Sequence, residues 1–231
     1  MSPRGLCSFV IGLWIVVGCL LSGTALAGEV KSASLAGVAR WQDAAPADLA
    51  ATATWQLPGV LRVRYGIEDL RVLFGTRNVR LEPLGGAEGE VAQGAVLFPE
   101  DVERRAEVFF QDEARHRGIT MVRVQGRHTR WHLAGVRLGM TLAELVRWNG
   151  APVSYSGFDW DYGGMVTAAH GGRLAAILAG GTVGRGFIRL DRTEQARGYP
   201  LGESSVRSDD RRYASLLGHI RVSELGFSFE P

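Results

Sequence analysis

The run Phe158-Asp159-Trp160-Asp161-Tyr162 alternates aromatic and acidic residues without a break. In an extended strand, neighbouring side chains point to opposite faces. The three rings would then share one face and the two carboxylates the other, ~7 Å apart. That spacing suits a glycosidase acid/base pair, provided burial keeps one of the two carboxyls protonated. Asp-x-Asp-x-Gly also opens a calcium loop, but no glutamate stands at the twelfth position. Three readings follow. The run is a core strand with its rings packed inward; or an interaction patch in which Phe158, Trp160 and Tyr162 join Trp148 and Tyr155; or a carboxylate site built on Asp159 and Asp161.

Charge is segregated in the middle of the chain. Nine acids lie between Glu82 and Glu113, against two arginines. From Ala114 to Ala143 there is no acid but six arginines: Arg115, Arg117, Arg123, Arg127, Arg130 and Arg137. One reading is a basic face for an anionic envelope component or acidic protein, with Arg123, Arg127 and Arg130 central. The other is ion pairing between neighbouring acidic and basic strands. Nucleic acid is not expected as a partner. His128 and His132 have a helical metal-ligand spacing, with His116 nearby. In the strand or turn that Gly126 suggests, however, they stand ~13 Å apart, so no metal site is read.

Other chemistry is excluded by composition. Only one of the 26 basic residues is a lysine, Lys31, which leaves no P-loop lysine, Schiff-base lysine or Ser-x-x-Lys pair in the body of the chain. Both cysteines, Cys7 and Cys19, fall in the first twenty residues, so thiolate sites are lacking there too. No Gly-x-Ser-x-Gly occurs, Gly180 to Gly186 fits no nucleotide-binding spacing, and no cofactor is expected.

These side chains need a scaffold. Leu61 to Gly75 and Val136 to Gly150 resemble each other at an offset of 75 residues. Each reads as a short strand, a turn, a two-turn helix and a terminating glycine. In the second copy Thr141 and Glu144 form a capping box. Leu142, Leu145 and Val146 make the buried stripe, and Gly150 and Pro152 stop the helix. Period-two segments follow: 106–110, 119–125 and 130–133 in the first half; 155–162, 165–169, 173–178, 186–190 and 219–223 in the second. Gly163-Gly164 and Gly171-Gly172 read as turns, and residues 192–212 as a polar insertion. With 31 glycines in 231 residues, against an average near ~7%, tight turns are frequent. The fold class is α+β, an antiparallel sheet with short helices on one face, in two tandem related halves over 55–133 and 134–231.

Residues 1–27 read as an export signal: Arg4, an apolar run from Leu6 to Leu21, and Ala25-Leu26-Ala27 before the cut. The run is short for a membrane span. A competing reading is a lipobox ending in Cys19, which would become a lipid anchor. Both readings place the protein outside the bacterial cytoplasm, periplasmic or secreted in the first case and membrane-anchored in the second. Residues 28–54 form a lead-in with a short helix near 48–54.

Gly139-Met140-Thr141 with Leu145, Gly150 and Pro152 resembles the helix motif of small bacterial outer-membrane assembly lipoproteins. The tandem unit of helices followed by antiparallel strands is similar to the β-lactamase-inhibitor-protein-like fold. The stretch from Gly135 to Gly164 also resembles exported bacterial proteins to which no activity is attached. The first two resemblances imply protein binding rather than catalysis, although nothing here matches the inhibitor's target-contacting loops. The expectation is therefore an exported, non-catalytic, macromolecule-binding or inhibitor-like module. The alternative is a carboxylate-based hydrolase of envelope glycan using Asp159 and Asp161.

Overall fold

A computed structural model describes residues 55–230, apart from His128. The expected export segment with Cys7 and Cys19, the expected lead-in helix with Lys31 before it, and His128 lie outside the described residues.

The two helices related by the 75-residue offset form at matching positions. α1 spans Ile67–Phe74 and α2 spans Leu142–Asn149. At the start of α2 the Thr141 hydroxyl accepts from the Glu144 N–H at 3.2 Å, and the Glu144 carboxylate accepts from the Thr141 N–H at 2.7 Å. The Thr141 N–H, and the Thr141 hydroxyl donating at 2.8 Å, hold the Glu144 carboxyl below the usual carboxylate range. In α1 only the return half of the box is made, Asp69 accepting from the Gly66 N–H at 2.8 Å, because glycine has no side chain to cap with. Gly150, with φ 78°, is the left-handed residue that ends α2. Leu70, Leu142 and Leu145 are fully buried, each contributing ~1.5–3 kcal/mol by leaving water.

Both helices pack on one face of a six-stranded antiparallel sheet. Its strands are β1 (Val79–Gly85), β2 (Val91–Leu97), β3 (Ala106–Asp112), β4 (Arg117–Gln125), β7 (Gly184–Arg192) and β9 (Ile220–Phe229), ordered β1-β2-β3-β4-β9-β7. Inward residues alternate along the strands, as in Val122 and Val124 of β4 facing Phe227 and Leu225 of β9. A second sheet has the order β6-β5-β8, from Val166–Ala168, Ser154–Ser156 and Ser205–Arg207. The α+β class holds, with sheet predominating. β7 and β9 follow residue 134 yet join the sheet of β1 to β4, so the two halves share one sheet and one core.

Several expected strands differ. Residues 61–63 and 136–138 form no strand, although Leu61 and Val136 are buried. Residues 130–133 make only isolated bridges, Gln56 to His132 and Leu133 to Val136. Part of 173–178 is helical: α3 runs Ala175–Ala179, started by an alanine pair that favours helix. What sets its position is Asn149, 1% exposed at the end of α2. Its Nδ2 donates to the carbonyls of Ala151 and Ala169 at 2.9 and 3.0 Å, and its Oδ1 accepts from the Leu174 N–H at 2.9 Å. This buried amide is fully satisfied and ties the turn at Gly171-Gly172 to the helix. Among the described residues no helix is long and apolar enough to cross a membrane.

Candidate functional site

The alternating aromatic run is not one strand. β5 ends at Ser156, and Phe158 instead bonds the polar insertion: its N–H donates to Pro200 O and its carbonyl accepts from Gly202 N–H, both at 2.8 Å. Asp159 then adopts φ 67°, a left-handed conformation uncommon outside glycine, and the chain turns. Alternation therefore fails after Phe158, because a residue at positive φ breaks the two-residue period.

The turn is anchored at several points. Trp160 Nε1 donates to Gly157 O at 2.9 Å, and Arg189 Nη2 to Asp161 O at 2.9 Å. Arg192 pairs with the Asp159 carboxylate at 2.6 Å, and the Leu190 N–H donates to Gly164 O at 2.8 Å. At Gly164 (φ 72°) a Cβ would run into the Leu190 carbonyl, so only glycine fits. The anchored turn presents Trp160 and Tyr162 edge to face, with centroids 5.4 Å apart. Trp160 is half-buried, while Tyr162 and the nearby Leu201 are 47% and 55% exposed.

The five-residue aromatic patch is thus reduced to two rings. Tyr155 and Phe158 are core residues at 1% and 4% exposure. Burial pushes the Tyr155 phenol up to about 12, and its hydroxyl has no hydrogen-bond partner among the described residues. Trp148 is half-buried on α2 against Gly135, with the Arg173 guanidinium 5.6 Å from its ring centroid. Asp159 and Asp161 are both exposed, and Asp159 is committed to Arg192. Neither has the burial that a carboxylic general acid needs.

Three of the six arginines in the basic stretch pair with the acidic stretch, while Arg117 and Arg137 make no ion pair among the described residues. Glu107 and Arg123 face each other across β3 and β4, with a 2.7 Å ion pair. Arg123 also lies 4.8 Å from the Phe109 ring centroid and donates to Gly85 O at 2.7 Å. Its side chain is only 13% exposed, which removes it from any basic surface. Arg130 pairs with Glu103 and Arg115 with Asp112, both at 2.9 Å. Further along the acidic stretch, Glu82 takes Arg80 and Arg105, and Asp101 takes Arg104, whose guanidinium holds the Asp101 carboxyl below its usual range. Arg127 makes no ion pair among the described residues. It lines an open groove of about 1000 Å³ together with Arg192 and Arg221, beside Asp191 and Glu194. Both signs of charge line that groove, so it is polar rather than basic.

A further constellation has no signal in the sequence, because Ser154, His170 and Arg207 are separated by 16 and 37 residues and meet only in the folded chain. Ser154 of β5 is buried, and its Oγ lies 2.7 Å from His170 Nε2. Arg207 of β8, opposite Ser154, places Nη1 3.3 Å from His170 Nδ1 and grips Asp209 with two bonds of 2.9 and 2.8 Å. The arrangement superficially matches a nucleophile and base. The proton order argues otherwise. Guanidinium can only donate, so His170 Nδ1 must accept and Nε2 must carry the hydrogen, which it donates to Ser154. A nucleophilic serine needs the reverse transfer. The chain from Asp209 to Ser154 is a clasp across β6, β5 and β8.

Of the other histidines, His116 packs edge-on against Phe110, with centroids 5.9 Å apart. His132 accepts from the Gly135 N–H at 3.2 Å; burial, then Arg137, depresses its pKa. No group of three metal-binding side chains occurs among the described residues. Compared with models of known families, with curated proteins and with solved structures, the chain matches none.

Proposed function

We propose that this chain is an exported, non-catalytic binding module of the bacterial cell envelope, whose contact surface is the anchored turn carrying Trp160 and Tyr162. The observation that carries the reading is the turn itself. A strained residue at positive φ, one obligatory glycine and four side-chain or backbone anchors hold two aromatic rings at the surface. Strain of this kind costs ~1–3 kcal/mol and persists where the surroundings over-determine it, and rigid aromatic rings give contact area at little entropic cost. Arg127 and the polar groove supply neighbouring hydrogen-bonding groups for a macromolecule. Location rests on the apolar run from Leu6 to Leu21 with a cut after Ala27, or on Cys19 as an anchor. The partner is an envelope protein or anionic envelope component, and the matched helices α1 and α2 are what remains of two tandem related halves.

The test is affinity capture from envelope extract with wild type, Trp160→Ala and Arg127→Glu, each checked for unchanged melting temperature. A component held stoichiometrically by wild type and lost from Trp160→Ala supports the reading. Equal retention by wild type and both variants, or turnover of envelope glycan that Asp159→Asn abolishes, overturns it.

A further inference from the structure

The β1–β2 hairpin is attached to the sheet by less than half its length. β1 and β2 pair at seven positions, from Val79 with Leu97 to Gly85 with Val91. β2 pairs with β3 at only three, Ala95 to Leu97. Register puts Arg80, Val96, Glu107 and Arg123 in one row across four strands. On a flat sheet Gly85 would stand five residues, ~17 Å, along β1 from that row. Yet Arg123 Nη2 donates to Gly85 O at 2.7 Å. The far half of the hairpin is therefore folded back over the face of β3 and β4 that α1 and α2 leave uncovered.

Its underside is small. Leu84 lies directly over Gly94, where a Cβ would collide with it, and packs in a cluster with Val96 and Phe109, with Ala92 and Met121 alongside. Besides Arg123, the Glu113 carboxylate holds the hairpin by accepting from the Gln93 N–H at 2.8 Å. Val91 near the tip is 65% exposed. Few apolar contacts and a thin attachment mark a segment of low local stability.

We propose that residues 84–93 form a strap that opens and closes over the trough of Val96, Phe109 and Met121, with Arg123 as its latch. Glu107 and the Phe109 ring hold the guanidinium in place from below, and the Gly85 carbonyl is what it catches. Opening leaves the hairpin's own ladder intact, uncovers the trough and frees the edge of β3 beyond Val108. The protein thus has two surface states that differ in exposed apolar area.

Because that ladder survives opening, the readout is access to the trough. In a chain with Cys7→Ser and Cys19→Ser, single thiols are introduced as Val96→Cys beneath the strap or Val122→Cys in the main core; both positions are 0% exposed. Maleimide labelling under native conditions is expected to be at least tenfold faster at 96 than at 122. Adding Arg123→Gln with Glu107→Gln, which removes both members of the ion pair together, should speed labelling at 96 a further tenfold and leave 122 unchanged. Glu113→Ala, which removes the acceptor of the second tie, should act in the same direction. Equal rates at 96 and 122 with Arg123 intact would show that the trough opens only by global unfolding, and would overturn the strap. Acceleration at both positions would overturn the latch. If the double variant does not fold, the comparison of 96 with 122 and the Glu113→Ala arm still decide.

Discussion

Replacing Asn149 should be among the most damaging single changes away from the hydrophobic core. Its side chain donates two hydrogen bonds and accepts one, and Leu174, whose N–H it holds, is itself fully buried. Asn149→Ala orphans the Leu174 N–H in a buried setting and the Ala151 carbonyl in a partly buried one, whereas the Ala169 carbonyl keeps the Gly172 N–H. An orphaned buried group costs about 1–3 kcal/mol, so one such group and a partial second come to about 2–4 kcal/mol. That is a large share of the 5–15 kcal/mol by which domains are stable. Urea unfolding should show a lower midpoint at unchanged slope, and the thermal midpoint should fall by roughly 4–16 °C. Asn149→Leu separates the causes. It restores volume but no hydrogen bond, so it should recover little. The reasoning is refuted if Asn149→Ala costs less than about 1 kcal/mol, or if leucine restores wild-type stability.

Two other substitutions test particular claims. Burial first, then the neighbouring Glu107 carboxylate, raises the Glu224 carboxyl above its usual range, against the attraction of Arg189 and Arg123. An acid whose folded pKa lies above its unfolded value of about 4.3 costs stability increasingly as pH rises past that value. Glu224→Gln should therefore raise the melting temperature at pH 7, with the gain vanishing below about pH 4; a constant gain at all pH values would contradict the burial cause. Gly164→Ala should cost about 2–4 kcal/mol from positive φ and the clash with Leu190 and alter the near-ultraviolet dichroism of Trp160; an unchanged spectrum and midpoint would show that the turn is not held as described.

The local elements were the most legible part of the chain. Ile67, Leu70 and Phe74, then Leu142 and Leu145, announce helices because their spacing follows the helical period, and Thr141 with Glu144 marks a start that needs no distant contact. Residues 119–125 and 106–110 declare themselves as strands by β-branched and aromatic alternation. β1 and β2 did not, because Pro83, Gly85, Gly94 and scattered acids interrupt the pattern. The hairpin they form is also bent enough to blur its inward and outward sides. The run 155–162 misled for a related reason: alternation records composition, whereas Asp159 at φ 67° and the bonds from Phe158 to the polar insertion decide the path.

By itself, then, the sequence determined what is local or compositional. This covers the two capped helices, the antiparallel character, the want of lysine and cysteine chemistry in the body of the chain, and the apolar segment at its start. These depend on residue type and short spacing alone. Tertiary structure decided which of the charged and aromatic residues remain at the surface. Arg123 looked like part of a basic face until β3 placed Glu107 opposite it and the hairpin laid Gly85 upon it. Tyr155 and Phe158 went to the core while Trp160 and Tyr162 stayed outside. Asn149, an unremarkable polar residue in the sequence, became a buried knot. The physical reason is common to all three. Exposure and pairing depend on contacts between residues far apart in the chain, and one-dimensional spacing carries no record of which strand lies beside which.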